Sequence, residues 1–328
     1  MSLYLKEIAI TNPESAGMAN TLATIATVVL ALACSQLNAQ GQLLISGFID
    51  GSTALPVDEG TNLGFSFDQL EIDLEKELSE TVSLRADIDF MVDMVAVEQA
   101  YVSFKPIKFG ELIAPVITFG KFNAPIGYEL LDAPDMYQFS HSLVFDNALP
   151  TNLTGFSISQ DLGAGLDLVA YIANGWYLSD GSDVNFADDS LMIFGGRLGY
   201  GGVEGLGLGV SAIQNDAQDM IIDLDGEVTM VPNLILGFEF NTGGKDDTGD
   251  NISGWLVMAN YAFPSFAITF RQDAWGAASS TTISPSYGIA DGAGMLFEYR
   301  LDSGTFDEDG VYHKGKNTSA AIEFTFTF

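Results

Sequence analysis

From residue 40 onward the apolar and polar positions of this chain alternate with a period of two, and the helical period is almost nowhere visible. In VSLRADIDF, Val82, Leu84, Ala86, Ile88 and Phe90 alternate with Ser83, Arg85, Asp87 and Asp89. LILGFEF sets Leu234, Leu236, Phe238 and Phe240 against Gly237 and Glu239, and FAITFRQDAW sets Phe266, Ile268 and Phe270 against Thr269, Arg271 and Asp273. GMLFEYRLD does the same with Met295, Phe297, Tyr299 and Leu301 against Glu298, Arg300 and Asp302. Successive side chains of a strand point to opposite faces, so each segment has one apolar and one polar face. A length of about ten residues is that of a tilted strand crossing a bilayer. The pattern predicts sixteen such strands, over 42–53, 63–76, 81–91, 95–104, 112–121, 152–160, 164–174, 190–200, 204–214, 219–230, 233–242, 252–263, 266–276, 279–289, 294–302 and 318–328.

The connections sort into two classes. LSET, DLGAG, GVEG, VPN, PS and DGAG are tight, with only KPIKFGELIAP longer. PVDEGTN, 122–150, SDGSDVNFADDS, GGKDDTGDN and SGTFDEDGVYHKGKN are longer, polar and mostly acidic, and the two classes alternate. Short turns at one end and long loops at the other are expected of a transmembrane antiparallel β-barrel of about sixteen strands, both termini lying on the short-turn, periplasmic side. The four arginines, Arg85, Arg197, Arg271 and Arg300, all fall on the polar face of their strands. A cation facing lipid near the midplane costs about 2–4 kcal/mol, which sends the polar face to the lumen. Sixteen strands also enclose too wide a space to be filled by their own apolar side chains, whereas an apolar face turned outward meets lipid.

The last segment, AAIEFTFTF, puts Ala320, Ile322, Phe324, Phe326 and Phe328 on one face. A final strand with alternating aromatics and a terminal Phe resembles the signal that barrel-assembly machinery reads in porins. Phe324, Phe326 and Phe328 are the matching residues. At the other end, LATIATVVLALA (22–33) has the length of a signal-peptide core and is too short to span a bilayer. Residues 1–39 are expected to be the signal peptide, cut after Ala39, and 40–328 the barrel. The positive region is weak, with Lys6 offset by Glu7 and Glu14, which leaves Met18 as an alternative start. ALAC at 31–34 leaves a lipoprotein signal open, although the usual Leu three places before Cys34 is absent.

Charge narrows the function. With 44 acids against 12 bases the net charge is −32, so nucleic acid is excluded as a partner and cations are favoured. One cysteine permits no internal disulfide, and two histidines permit no His-rich metal site. No cofactor and no metal site is assigned. The acidic run Lys245–Asp250 lacks EF-hand spacing, which leaves calcium on the loops open against a solvated rim. His141-Ser142 and His313 lie in no catalytic pattern, so no enzyme is expected. GLGLG (205–209) has no helix after it to make a phosphate site and reads as small residues allowing a close approach.

FGKFNAPIGYELLDAPDMYQFSHSLVFDNALPTNLTGF (119–156) resembles the OmpL-like β-barrel porins and, more distantly, phosphate-selective porins. Gly120, Phe122, Pro125, Gly127, Glu129, Pro150, Thr154 and Gly155 carry the resemblance. It implies an outer-membrane porin. Phosphate selectivity is not implied, since no ladder of lysine or arginine is present.

The connection 122–150 is the third external loop, the one that in general porins folds into the lumen. Tyr128, Leu130, Leu131, Met136, Tyr137, Phe139 and Phe145 are too many apolar groups to leave in water and are expected to pack on the inner wall. Its acids Glu129, Asp132, Asp135 and Asp146 are then expected at the constriction. Packing over the rim, or a subunit clasp, is the alternative. Arg85, Asp87, Asp89, Asp167, Arg197, Asp223, Asp225, Glu239, Arg271, Asp273, Glu298, Arg300 and Glu323 are expected to face the lumen. The reading is a passive channel for small hydrophilic solutes and ions with a modest cation preference. Its partners are outer-membrane lipid and the assembly machinery, and a homotrimer is left open. A non-conducting barrel, acting as adhesin or envelope protein with acidic loops, is the alternative.

Overall fold

The computed structural model describes residues 41–57, 62–92, 94–106, 114–174, 192–214, 220–245, 251–306 and 312–328. Residues 1–39, and so the signal-peptide reading and Cys34, lie outside the described residues. Among those described, sixteen strands form one closed antiparallel barrel in which each pairs with its sequence neighbour. They are β1 (Leu43–Ala54), β2 (Gly64–Ser79), β3 (Val82–Phe90), β4 (Val95–Phe104), β5 (Val116–Asn123), β6 (Asn152–Gly163), β7 (Leu166–Asn174) and β8 (Met192–Val203). They continue with β9 (Leu206–Gln214), β10 (Met220–Val228), β11 (Leu234–Lys245), β12 (Asn251–Ala262), β13 (Ala267–Trp275), β14 (Ala278–Ala290), β15 (Ala293–Phe306) and β16 (Tyr312–Thr327). Closure comes from β16 on β1, Phe48 opposite Thr327 through Ala54 opposite Ala321. The seam ends in a reciprocal pair, Phe328 N to Gly47 O at 3.0 Å and Gly47 N to Phe328 O at 3.2 Å. Closure removes every sheet edge, as a bilayer demands of a spanning sheet.

Alternation turns directly into sidedness. Phe270 is 45% exposed on the outer face, while its neighbours Thr269 and Arg271 are fully buried on the inner one. Leu236 and Phe240 point out, and Glu239 and Asn241 point in. Phe324, Phe326 and Phe328 are exposed on the outer face of the seam. Two of the barrel's register shifts add acidic side chains to the inner face. Asp50 pairs with Gln69 and Gly51 with Phe67, skipping Asp68; Asp87 pairs with Gln99 and Ile88 with Val97, skipping Glu98. A bulge places two consecutive residues opposite one and re-aims a side chain. Strict alternation sends Asp68 and Glu98 to lipid; the bulges bring them inward beside Gln69 and Gln99.

Several sequence-based boundaries move. The stretch 303–317 is expected to be loop, but β15 runs to Phe306 and β16 begins at Tyr312. Likewise β11 continues through GGK to Lys245. Beyond the bilayer both faces of a barrel wall meet water, so alternation stops while the hydrogen-bond ladder goes on. Nor are all connections at that end long, since β13 and β14 are joined by Gly276 and Ala277 alone.

Candidate functional site

Residues 124–151 connect β5 to β6 and fold against the inner wall. The polar side chains of the wall bind the backbone of this inner loop. Asp223 and Glu239 accept the N–H groups of Gly127 and Tyr128, at 3.3 and 2.9 Å. Glu298 accepts from Ser140 at 3.1 Å and Asp273 from Leu143 at 2.9 Å. Arg271 donates to the carbonyls of Ser140 and His141 at 2.7 and 2.9 Å, and Arg300 to that of His141 at 2.7 Å. Each of these backbone groups has left water, so wall carboxylates for its N–H groups and wall guanidiniums for its C=O groups are what make the inward fold affordable.

Packing supplies the rest. Ser142 caps α1 (Leu143–Ala148), its hydroxyl accepting from Phe145 N at 3.2 Å. The helix buries Leu143, Val144 and Ala148 on one side, and Val144 meets Trp275 across Gly254. Tyr128 lies over Gly237 of β11, and its hydroxyl donates to Glu227 at 3.3 Å. His141 stacks on Phe145 with centroids 3.9 Å apart, and its Nε2 is 2.9 Å from Leu130 O. His141 and Ser142 are thus both engaged in holding the loop's shape.

The loop bridges the lumen. Tyr128 is bonded to β11, while Asp132 brings a carboxylate oxygen within 4.8 Å of Glu71 on β2 and Glu98 on β4. β3 and β11 lie eight strands apart (11 − 3) in the ring of sixteen, on opposite sides. Four residues extend at most roughly 14 Å, so long carboxylate side chains from both walls complete the span. The 3-10 turn Ala133–Asp135 follows the crossing.

The acids fall into two settings. Glu129 bonds Arg271 at 2.6 Å and accepts Ser142 N at 2.8 Å, so its charge is matched. Arg271 also holds Asp273 at 3.0 Å, Arg300 holds Asp302 at 2.8 Å, and Arg197 grips Asp225 with both terminal nitrogens. Across the lumen Arg85 is shared by Glu75, Asp87 and Asp73, while Gln99 binds Asp87 and Gln69 binds Asp89. There the acids outnumber the base. Glu71, Asp73 and Asp87 form a second group whose carboxylate oxygens lie within 4.8 Å of one another. Burial, followed by the charges of Asp135 and Asp73, pushes the Asp132 carboxyl up to about 6. Asp135 and Asp146 are exposed on the loop. Asp167 lies against Gly199, and Glu323 is buried on β16.

Several members of the site were not legible in the alternation. Glu71 sits on a predicted strand, but nothing marked its meeting with Asp132. Glu98 is delivered by a bulge. Gly237 reads as a neutral lumen position and is in fact the seat of Tyr128. In GLGLG the close approach is to Arg197, whose guanidinium lies where a Cβ on Gly209 would stand. The run Asp246–Asp250 lies outside the described residues.

Residues 92–328 match the OmpL-like beta-barrel porin family, beta-barrel porin-2. The chain belongs to this family. No curated protein sequence matches it. Its fold is similar to that of the outer membrane channel DcaP of Acinetobacter baumannii, with a TM-score of 0.63, 12% identity, and 88% of this chain and 97% of that one covered. Salmonella typhi OmpF, solved in complex with daunomycin, matches at TM-score 0.63 and 12% identity, covering 88% and 98%. The anion-selective porin from Comamonas acidovorans matches at 0.61 and 11%, covering 88% and 100%. Family and fold together make the chain a porin of the outer-membrane type and point to a channel rather than an enzyme.

Proposed function

We propose that this porin resides in the outer membrane and passes small hydrophilic solutes and ions by passive diffusion, with a modest preference for cations and no catalytic activity. One observation carries the reading: a closed barrel whose inner loop is held inside by Asp223, Glu239, Asp273, Glu298, Arg271 and Arg300. Such a loop narrows the aqueous path without sealing the barrel's ends, and Glu129, Asp132, Asp135 and Asp146 belong to the constriction. The sign of selectivity does not come with the fold, since one structure of similar fold is an anion-selective porin. It rests on the charges. The four arginines are each matched by acids, whereas Asp132 and Asp135 of the loop form no ion pair among the described residues. Fixed negative charge in a narrow channel concentrates cations. The outward aromatics at 324, 326 and 328 serve the barrel-assembly machinery, the outer face meets lipid, and a homotrimer is the assembly to test. Planar-bilayer conductance of the refolded protein tests the whole reading: discrete ohmic steps support it, and the absence of current at any protein density rejects it.

A further inference from the structure

Between the inner loop and the β10–β12 wall lies a cavity of about 250 Å³. This is below the roughly 300–1,000 Å³ of sites for drug-sized ligands, so it suits a smaller molecule. Its walls are mostly apolar. Leu256 and Met258 of β12 face inward, against the barrel's general rule, and the loop adds Leu130 and Met136 with the rings of Tyr128 and Tyr137. Two polar features are left over. Gln138 is only 3% exposed, lines the cavity, and its Nε2 has no acceptor. A buried amide N–H without a partner costs about 1–3 kcal/mol, which an acceptor atom of a ligand would recover. Glu227, which accepts the Tyr128 hydroxyl, and Asp135 also line the space, and neither forms an ion pair among the described residues. Arg271 reaches the cavity too, but Asp273, Glu129, Ser140 and His141 already take its donors.

We propose that this cavity is a binding subsite for small amphipathic amines that carry a hydroxyl or carbonyl oxygen. The ammonium group lies toward Glu227 and Asp135, the apolar body between Met258 and the two tyrosines, and the oxygen accepts from Gln138 Nε2. The proposal rests on the porin reading for the route by which a ligand arrives, and it names a solute class that the barrel retains in passing.

Tyramine is the probe, with 4-ethylphenol as its uncharged analogue, ethanolamine as an amine without the aromatic body and 4-hydroxyphenylacetate as the anion. Titration calorimetry on the detergent-solubilised full barrel reads binding without current, and single-channel recording reads interruption of current. Tyramine should bind at least tenfold more tightly than each analogue and interrupt the current in resolved events. E227Q should weaken it at least tenfold and D291N, in a distant turn, should leave it unchanged. Should E227Q not insert, D135N replaces it with the same expectation of weaker binding. Q138L should abolish the advantage of tyramine over phenethylamine. Equal binding of tyramine and 4-ethylphenol, or full affinity in E227Q or D135N, overturns the subsite while the porin reading stands on its conductance. Tight tyramine binding by a barrel that never conducts supports the subsite and rejects the porin reading instead.

Discussion

The ring of Tyr128 lies so close over Gly237 that a Cβ at position 237 would stand 2.2 Å from its Cζ. The loop therefore reaches its position only because one residue of β11 has no side chain. G237V should displace the ring and break the Tyr128–Glu227 hydrogen bond, at a cost of about 1–3 kcal/mol from overpacking. Removing the ring with Y128G should make the same substitution nearly neutral, because the two effects share one contact. Thermal denaturation in detergent measures both, and equal costs in the two backgrounds would falsify the contact.

Arg271 is fully buried and is held by Glu129 and Asp273. R271M keeps the volume but strands two carboxylates. Breaking a buried pair from one side typically costs about 3–5 kcal/mol. The loop also loses four hydrogen bonds from the guanidinium, so larger and noisier unitary conductance is expected along with the lower melting temperature. A quiet channel of unchanged size would mean that the loop is held by packing alone.

Outward and inward faces should respond oppositely to charge. F270R places a cation on the outer face, where it costs about 2–4 kcal/mol at the midplane. Ser83, on the inner face opposite Glu77, should accept Arg with little loss. Thr269 and Gly237 look like equally mild lumen positions in sequence, but Thr269 is buried against Asn260 at 2.8 Å and Gly237 lies under Tyr128. Folding yield by the heat-induced gel shift separates the faces, and equal yields from F270R and S83R would reverse the assignment.

Asp132 titrates where the channel can be assayed. Burial raises its carboxyl to about 6 from an ordinary value of 3.8. Its ionised form is thus the costly one in the folded loop. Folded-state stability from this group falls as pH rises from about 4 to about 6 and is level outside that window. Charge in the lumen moves the other way, so the reversal potential in a KCl gradient should be clearly cation-selective at pH 7.5 and weaker at pH 5. D132N should flatten that dependence, and D132N with D135N should reduce selectivity at both pH values. Raising the salt to 1 M should erase most of the effect, since the screening length falls to about 3 Å. A reversal potential of anion-selective sign in dilute KCl would overturn the cation reading.

Deleting Phe328 removes the reciprocal bonds to Gly47 and one of three outward aromatics of the seam. Slower insertion, with protein accumulating in the periplasm, is the expected result in a pulse-chase experiment. Unchanged outer-membrane yield would leave the barrel intact and remove the assembly-signal reading.

The strands were legible because lipid imposes one rule on every wall residue. Phe270 and Arg271 show it in two adjacent positions, and the same rule fails where water touches both faces, which is why β16 begins at Tyr312 rather than at 318. The inward packing of the loop was readable from its apolar content, Tyr128, Met136 and Tyr137 above all, although Leu130, expected on the inner wall with them, stays 56% exposed. Its partners were not. The bonds from Asp223, Glu239, Asp273 and Glu298 run to backbone N–H groups, which every residue has, so no sequence feature marks them. The meeting of Asp132 with Glu71 and Glu98 depends on how far a loop travels across a barrel, and periodicity carries no such distance.

Asp68 and Glu98 are the extra residues of their bulges, each already flanked by a second inward side chain, Gln69 or Gln99. Removing either one by deletion restores plain alternation and shifts no neighbour to the other face. In an ordinary strand a one-residue deletion turns every later side chain inside out. Here the loss of a single codon subtracts one carboxylate from the lumen and leaves the lipid-facing coat as it was. Lumen charge in this barrel can therefore drift by insertion and deletion, and not by substitution alone, without the sheet having to be rebuilt.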